Sequence, residues 1–167
     1  MLLEIADGQL DVAIAPAGLR LPDGIAAESI GALGWRCFGR RGHPAFTKWG
    51  VRAWARWPHL VVRVGDRLDS PVNAAASGAR LERTIAGWAP NFSVVAPVLA
   101  GSDLLATLPA LAMADTLEPY GLDSRRVPFA IEPIAHALLW SAAHARDPEI
   151  AWLRGKLRPI VKRRFAP

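Results

Sequence analysis

A single cysteine, Cys37, stands in a chain of 167 residues, so no disulfide can close within it. That usage fits a reducing compartment. No run approaches the ~20 uninterrupted apolar residues that a membrane span needs. The opening MLLEIADGQL carries Glu4 and Asp7 and no basic cluster, so it does not read as a secretory leader. These absences predict a soluble, cytoplasmic protein with no membrane partner. Clustered charge is scarce as well. The net charge is +5, yet the basic residues are scattered and only Lys162-Arg163-Arg164 forms a run. Scatter of that kind reads as a solvated surface rather than a DNA-binding face.

The motifs of catalysis are missing too. There is no Gly-x-Ser-x-Gly elbow, no phosphate loop and no dinucleotide fingerprint. The four histidines, His43, His59, His136 and His144, form no pair at metal-ligand spacing, and Cys37 has no cysteine partner. Cys37, between Arg36 and Phe38 and near Trp35, reads as a small buried hydrophobe, not a nucleophile. His59 opens an apolar run and reads as a hydrogen-bonded structural residue. His43-Pro44 reads as a turn, and Asp103 as a turn or cap carboxylate. No catalytic residue, metal site or cofactor is expected, and the chain is not expected to be an enzyme.

What the chain does have is core. It is 51% hydrophobic and only 21% charged, enough to fold as one domain or two small lobes. Leu2, Leu3, Ile5 and Ala6 sit at helical spacing before Gly8, like the tail of a helix. Strands are expected at DVAIAP (11–16), through the glycine-broken 25–41, and at HLVVRV (59–64). Further strands are expected at ARLERTIAGW, DLLATLP (103–109), SRRVPFAI and HALLWSA. Helices are expected at 51–57, from Pro71 to Gly78 behind Asp69 or Ser70, and across 94–100 behind Asn91 or Ser93. Two more are expected, at ALAMADTLE and after Asp147. In the last helix Ile150, Leu153, Leu157 and Ile160 predict the buried face. Trp152 and Leu153 are expected to seat it. The alternation of short apolar strands with helices predicts an α/β fold, with mainly parallel sheets covered on both faces.

Binding is more legible than chemistry. In open parallel sheets ligands sit beyond the carboxyl ends of strands, where free N–H groups attract anions. Three places fit. Pro16-Ala17 follow the first strand. Gly65–Ser70 follow HLVVRV, with Gly65 and Asp66 the expected contacts. Asn91-Phe92-Ser93 precede the helix at 94–100.

The pieces GQLDVAIAP, CFGRRGHPAF, HLVVRVG, NFSVVAPVLAGSDLLATLP and LLWSAAHARDPEIAWLR, in that order and spacing, resemble the effector-binding domain of LysR-type transcriptional regulators. The last two resemble the branch with the nodulation regulators and the naphthalene- and nitroaromatic-responsive regulators. The resemblance implies a two-lobed fold of the periplasmic-binding-protein type (type II). Lobe I would be 1–34 plus 133–167, and lobe II 35–132, with crossings near Leu33–Arg36 and Ile131–Ile134. A small organic acid or aromatic effector would bind in the cleft and shift a homo-oligomer. DNA would be reached only through a winged helix-turn-helix that this chain does not contain. Relative to the family pattern, lobe I also lacks its opening strand and most of the following helix, so it is expected to be incomplete. A solute-binding or transport component of the same fold is the alternative reading.

Overall fold

The structure, a computed structural model, describes residues 1–63 and 70–165. The chain divides into two units, Met1–Leu33 with Pro133–Pro167, and Gly34–Glu132. In chain order the first unit opens with α1 (Leu2–Ala6), β1 (Val12–Pro16) and β2 (Ile25–Leu33). The second unit runs β3 (Trp35–Arg40), α2 (Val51–Arg56), β4 (His59–Val62), α3 (Pro71–Gly78), β5 (Ile85–Ala89), α4 (Val95–Ala100), β6 (Ala106–Pro109) and β7 (Leu122–Arg126). The chain then returns to the first unit with β8 (Ile134–Ser141) and α5 (Pro148–Phe165).

Helix starts follow the predicted chemistry. Ser70 Oγ accepts from Val72 N–H at 3.3 Å, and Pro71 takes the first helical position of α3. Asp147 Oδ1 accepts from Glu149 N–H at 2.8 Å and from Ile150 N–H at 3.4 Å, with Pro148 opening α5. Gly8, at φ +71°, follows α1 in a conformation that glycine adopts without strain.

In the first unit the strand order is β1-β8-β2, and both pairings are antiparallel. Strand β8 is therefore central, and its side chains alternate between two cores. Leu138 and Trp140 pack with Ile150 and Val161 of α5. Ala137 and Leu139 pack with Ile5 of α1 and Ala15 of β1. The register of β2 slips between Ser29 and Gly31, a bulge. Gly31 there has φ +131°, and a Cβ on it would lie 3.1 Å from Phe165 Cβ. The bulge thus lets the last turn of α5 come down on the sheet.

The buried face of α5 differs from the expected one. Ile150, Val161 and, in part, Leu157 and Phe165 face the sheet, while Ile160 is exposed. Trp152 points to solvent instead of seating the helix, and Leu153 is half-buried. The sheet contact takes the stripe running through positions 150, 154, 157, 161 and 165. Arg154 occupies that stripe as a cover, its guanidinium 3.5 Å from the centre of the Trp140 ring.

In the second unit β6-β3-β7 form an antiparallel sheet and β4-β5 a parallel pair. A parallel bridge between His59 and Leu105 joins β4 to the segment leading into β6. Phe38 faces one core with Leu60, Val95, Leu99, Leu108 and Leu122. Its neighbour Cys37 faces the other, with Trp54, Val72, Ala76 and Leu105. Helix α4 covers the first face; α2 and α3 cover the second.

The α/β class holds, but the sheets are not mainly parallel. Among the described residues only β4–α3–β5 is a strand–helix–strand unit within one sheet, and only that pair of strands is parallel. ALAMADTLE is not an α-helix. A short 3-10 turn spans Ala110–Met113, and turns follow it up to Gly121. SRRVPFAI is displaced, with β7 ending at Arg126, two residues before Pro128, which has no N–H for a ladder. Within ARLERTIAGW only the end from Ile85 is strand.

Candidate functional site

Strands β4 and β5 run side by side and end together, which opens one end of the parallel pair. Arg63 N–H donates to Ala89 O at 2.9 Å and carries the ladder one residue past β4. The Arg63 guanidinium lies 6.0 Å from the centre of the Trp88 ring. Two residues beyond Ala89, Asn91 caps the 3-10 turn Phe92–Val94 that leads into α4. Its Oδ1 accepts from Ser93 N–H at 3.1 Å and from Ser93 Oγ at 2.6 Å. Buried Val95, Ala96 and Leu99 anchor the helix behind this turn. The turn itself is exposed, with Phe92 38% and Trp88 48% accessible.

This end of the unit offers distinct chemical groups. Arg63 brings a cation. Asn91 has committed its oxygen to the cap, so its amide NH2 is the part that can meet an acceptor. Ser93 has committed its hydroxyl proton, so it keeps lone pairs and no donor. Phe92 and Trp88 supply ring faces. Of the expected contacts, Asn91, Phe92 and Ser93 come together here. Gly65 and Asp66 lie outside the described residues. Arg63 escaped the sequence reading, which placed it inside the strand HLVVRV, and its pairing with Ala89 is what sets it at the strand end.

Pro16 and Ala17 stand differently. Both are exposed at the end of β1. Ala17 N–H is already donated to Ala135 O at 2.8 Å, and Pro16 has no N–H to offer. Strand β1 pairs antiparallel with β8, so the rule for the carboxyl ends of parallel strands does not apply to it.

The titratable groups of the interior are structural. His59 is fully buried, and its Nε2 donates to Trp54 O at 2.9 Å. Burial pulls its pKa down to about 4, against the raising effect of that hydrogen bond, and Arg83 pushes it in the same direction as burial. Burial likewise pushes the Cys37 thiol up to about 12. Arg83, drawn down to about 10 by burial, is held by Asn73 and lies 5.5 Å from the centre of the Trp54 ring. Trp54 Nε1–H donates to Thr107 Oγ1 at 2.9 Å. His43 turns the chain, with its Nδ1 accepting from Ala45 N–H at 3.0 Å. Asp103 pairs with Arg40 at 2.7 Å. Among the described residues no group of three or more His, Cys, Asp and Glu is placed to hold a metal ion. No helix among them is long and apolar enough to cross a membrane.

Known proteins give this geometry a context. The family model for the LysR substrate binding domain matches residues 1–160. The HTH-type transcriptional regulator LinR of Sphingobium indicum is 27% identical over 99% of this chain and 55% of its own. The HTH-type transcriptional activator NagR of a Ralstonia species is 29% identical over 71% of this chain and 40% of its own. The chain thus spans about half the length of the curated relatives it matches. Both are named as regulators, not as enzymes or transport components. A putative transcriptional regulator from Vibrio parahaemolyticus has the same fold, with a TM-score of 0.83 at 21% identity, covering 98% of this chain and 77% of that one. The mixed α/β architecture and a match over nearly its whole length place this chain in the LysR substrate-binding domain family.

Proposed function

We propose that this chain is the ligand-sensing part of a LysR-type transcriptional regulator, taking a small organic acid or aromatic molecule as its effector. The observation that carries the reading is the family match over residues 1–160. The open end of β4 and β5 supports the ligand class. A cation at Arg63 and an amide donor at Asn91 suit a carboxylate, and the exposed rings of Phe92 and Trp88 suit an aromatic body. Gly65, Asp66, Asn91, Phe92 and Ser93 are the proposed contacts of the second unit. Pro16 and Ala17 are proposed for the first, through shape and not through N–H donation. In this reading the two units correspond to the two lobes of the fold, and the protein works in the cytoplasm as a homo-oligomer. DNA is reached only through a winged helix-turn-helix outside the 167 residues. The effector acts by binding one arrangement of the protein better than another.

A thermal-shift screen over small aromatic and aliphatic acids tests this, because a ligand that binds the native state raises Tm. A stabilising acid is expected. Its affinity should fall roughly fivefold in Phe92→Ala, about 1 kcal/mol for a lost ring contact. An unchanged affinity removes Phe92 from the site. A screen with no stabilising acid removes the ligand class.

A further inference from the structure

We infer that Arg36, Ser124 and Arg126 form a site for a tetrahedral dianion, a phosphate group, at the edge of the sheet β6-β3-β7. The inference rests on this ladder and is independent of the effector reading. Arg36 of β3 stands directly opposite Arg126 of β7. Further along, Arg41 N–H donates to Gly121 O at 2.7 Å. Counted from that rung, the alternation of an antiparallel ladder makes Arg36 and Arg126 a non-hydrogen-bonded pair. Such pairs hold their side chains closest, with Cα atoms about 4.5 Å apart. Like charges set directly opposite destabilise a sheet. The other arginines of this ladder are matched. Arg40 pairs with Asp103 at 2.7 Å, and Arg125, on the opposite face, lies 4.8 Å from the centre of the Phe46 ring. Among the described residues neither Arg36 nor Arg126 forms an ion pair.

The donors that remain say what the pair takes. Arg36 is half-buried and fixed, with Nε donating to Ser124 Oγ at 2.8 Å and Nη2 to Ser124 O at 3.4 Å. Ser124 pairs with Phe38, so it shares the face of Arg36 and Arg126. Its Oγ is accepting, which leaves the hydroxyl proton to give. Nη1 of Arg36 has no acceptor among the described residues. Arg126 is exposed, and only its carbonyl is engaged, by Trp49 Nε1–H at 2.7 Å. One fixed cation, one free cation and a hydroxyl donor thus stand together on one face. A carboxylate would offset one of the two charges; a phosphate dianion offsets both, and guanidinium forks suit its oxygens. The place is distinct from the open end of β4 and β5. The bridge between His59 and Leu105 sets β4 beside β6, so β5 and β7 are opposite edges of this unit, roughly 19 Å apart.

The test is calorimetry and thermal melting of the 167-residue chain with inorganic phosphate near neutral pH, against chloride and acetate at equal ionic strength. Phosphate at ten times its Kd should raise Tm by roughly 3–5 °C over chloride. Arg126→Gln should raise the phosphate Kd about tenfold or more, the loss of one charged donor. Arg126→Glu sets a carboxylate opposite Arg36. In chloride it should melt no lower than the native chain, and it should not respond to phosphate. Arg63→Ala, which removes the cation at the open end of β4 and β5, should keep the phosphate shift. Glycerol phosphate in the same assay separates the two sources of the group. Binding as tight as that of phosphate assigns a phosphate carried on an organic body, and weaker binding assigns the free ion; both support the site. No shift beyond that of chloride overturns the proposal. So does a shift that survives both Arg126 variants, one that disappears in Arg63→Ala, or one that acetate matches.

Discussion

The Arg83 guanidinium donates twice to the Asn73 side-chain oxygen, from Nη2 at 2.7 Å and from Nε at 3.2 Å. The contact ties α3 to the approach of β5 and holds a largely buried cation. Asn73→Leu leaves that cation without its acceptor and should cost about 1.5–3 kcal/mol in urea unfolding. Asn73→Asp keeps an acceptor and should retain most of the stability. Equal stability in all three proteins would remove the pair from the core's support.

His59 makes stability depend on pH. Its folded pKa of about 4 lies below its ordinary value of 6.5. The unfolded chain therefore binds the proton first. The contribution is full above about pH 6.5 and is lost progressively as pH falls to about 4, on the order of 3 kcal/mol in all. Thermal melts across that window should show a steeper slope for the native chain than for His59→Asn. Parallel slopes would assign the acid sensitivity to carboxylates elsewhere.

Asp147 holds the first turn of α5 through Glu149 and Ile150 N–H. Asp147→Ala should lower stability by about 1 kcal/mol, and Asp147→Asn by much less. A comparison of the two melting temperatures checks this.

Cys37 is buried and its thiol pushed up to about 12. Alkylation at neutral pH should therefore be slow and should track unfolding, rising with urea in step with loss of structure. Rapid labelling of the native chain would contradict the packing of Cys37 among Trp54, Val72 and Leu105.

The parts of this fold that the sequence disclosed are those with short-range causes. Ser70, Asn91 and Asp147 each stand just before a helical segment whose first N–H groups they satisfy. His59–Val62 and the body of β8 are short apolar runs of strand length, rich in Val and Leu, and they are buried strands. Strand direction has a long-range cause. Between β2 and β8 the chain runs through a whole unit, and nothing local says that β8 returns antiparallel. The buried face of α5 was misread for a related reason. Ile160 and Val161 are equally apolar neighbours, and the position of the sheet alone decides between them. At the candidate site, the turn Asn91–Ser93 was legible from its cap chemistry. Arg63 was not, because only pairing with Ala89 shows that β4 and β5 end together.

The tryptophans give the chain an optical readout of its own. Trp54 and Trp140 are buried, the latter beneath a guanidinium, while Trp88 and Trp152 face water. Emission from the buried pair should lie to the blue and that from the exposed pair to the red. Trp88 sits in the second unit at the open end of β5, and Trp152 in the first on the exposed face of α5. The red emission lost on replacing either one by Phe reports on its own surface, against a constant background from half-buried Trp35, Trp49 and Trp57, and no external dye is needed.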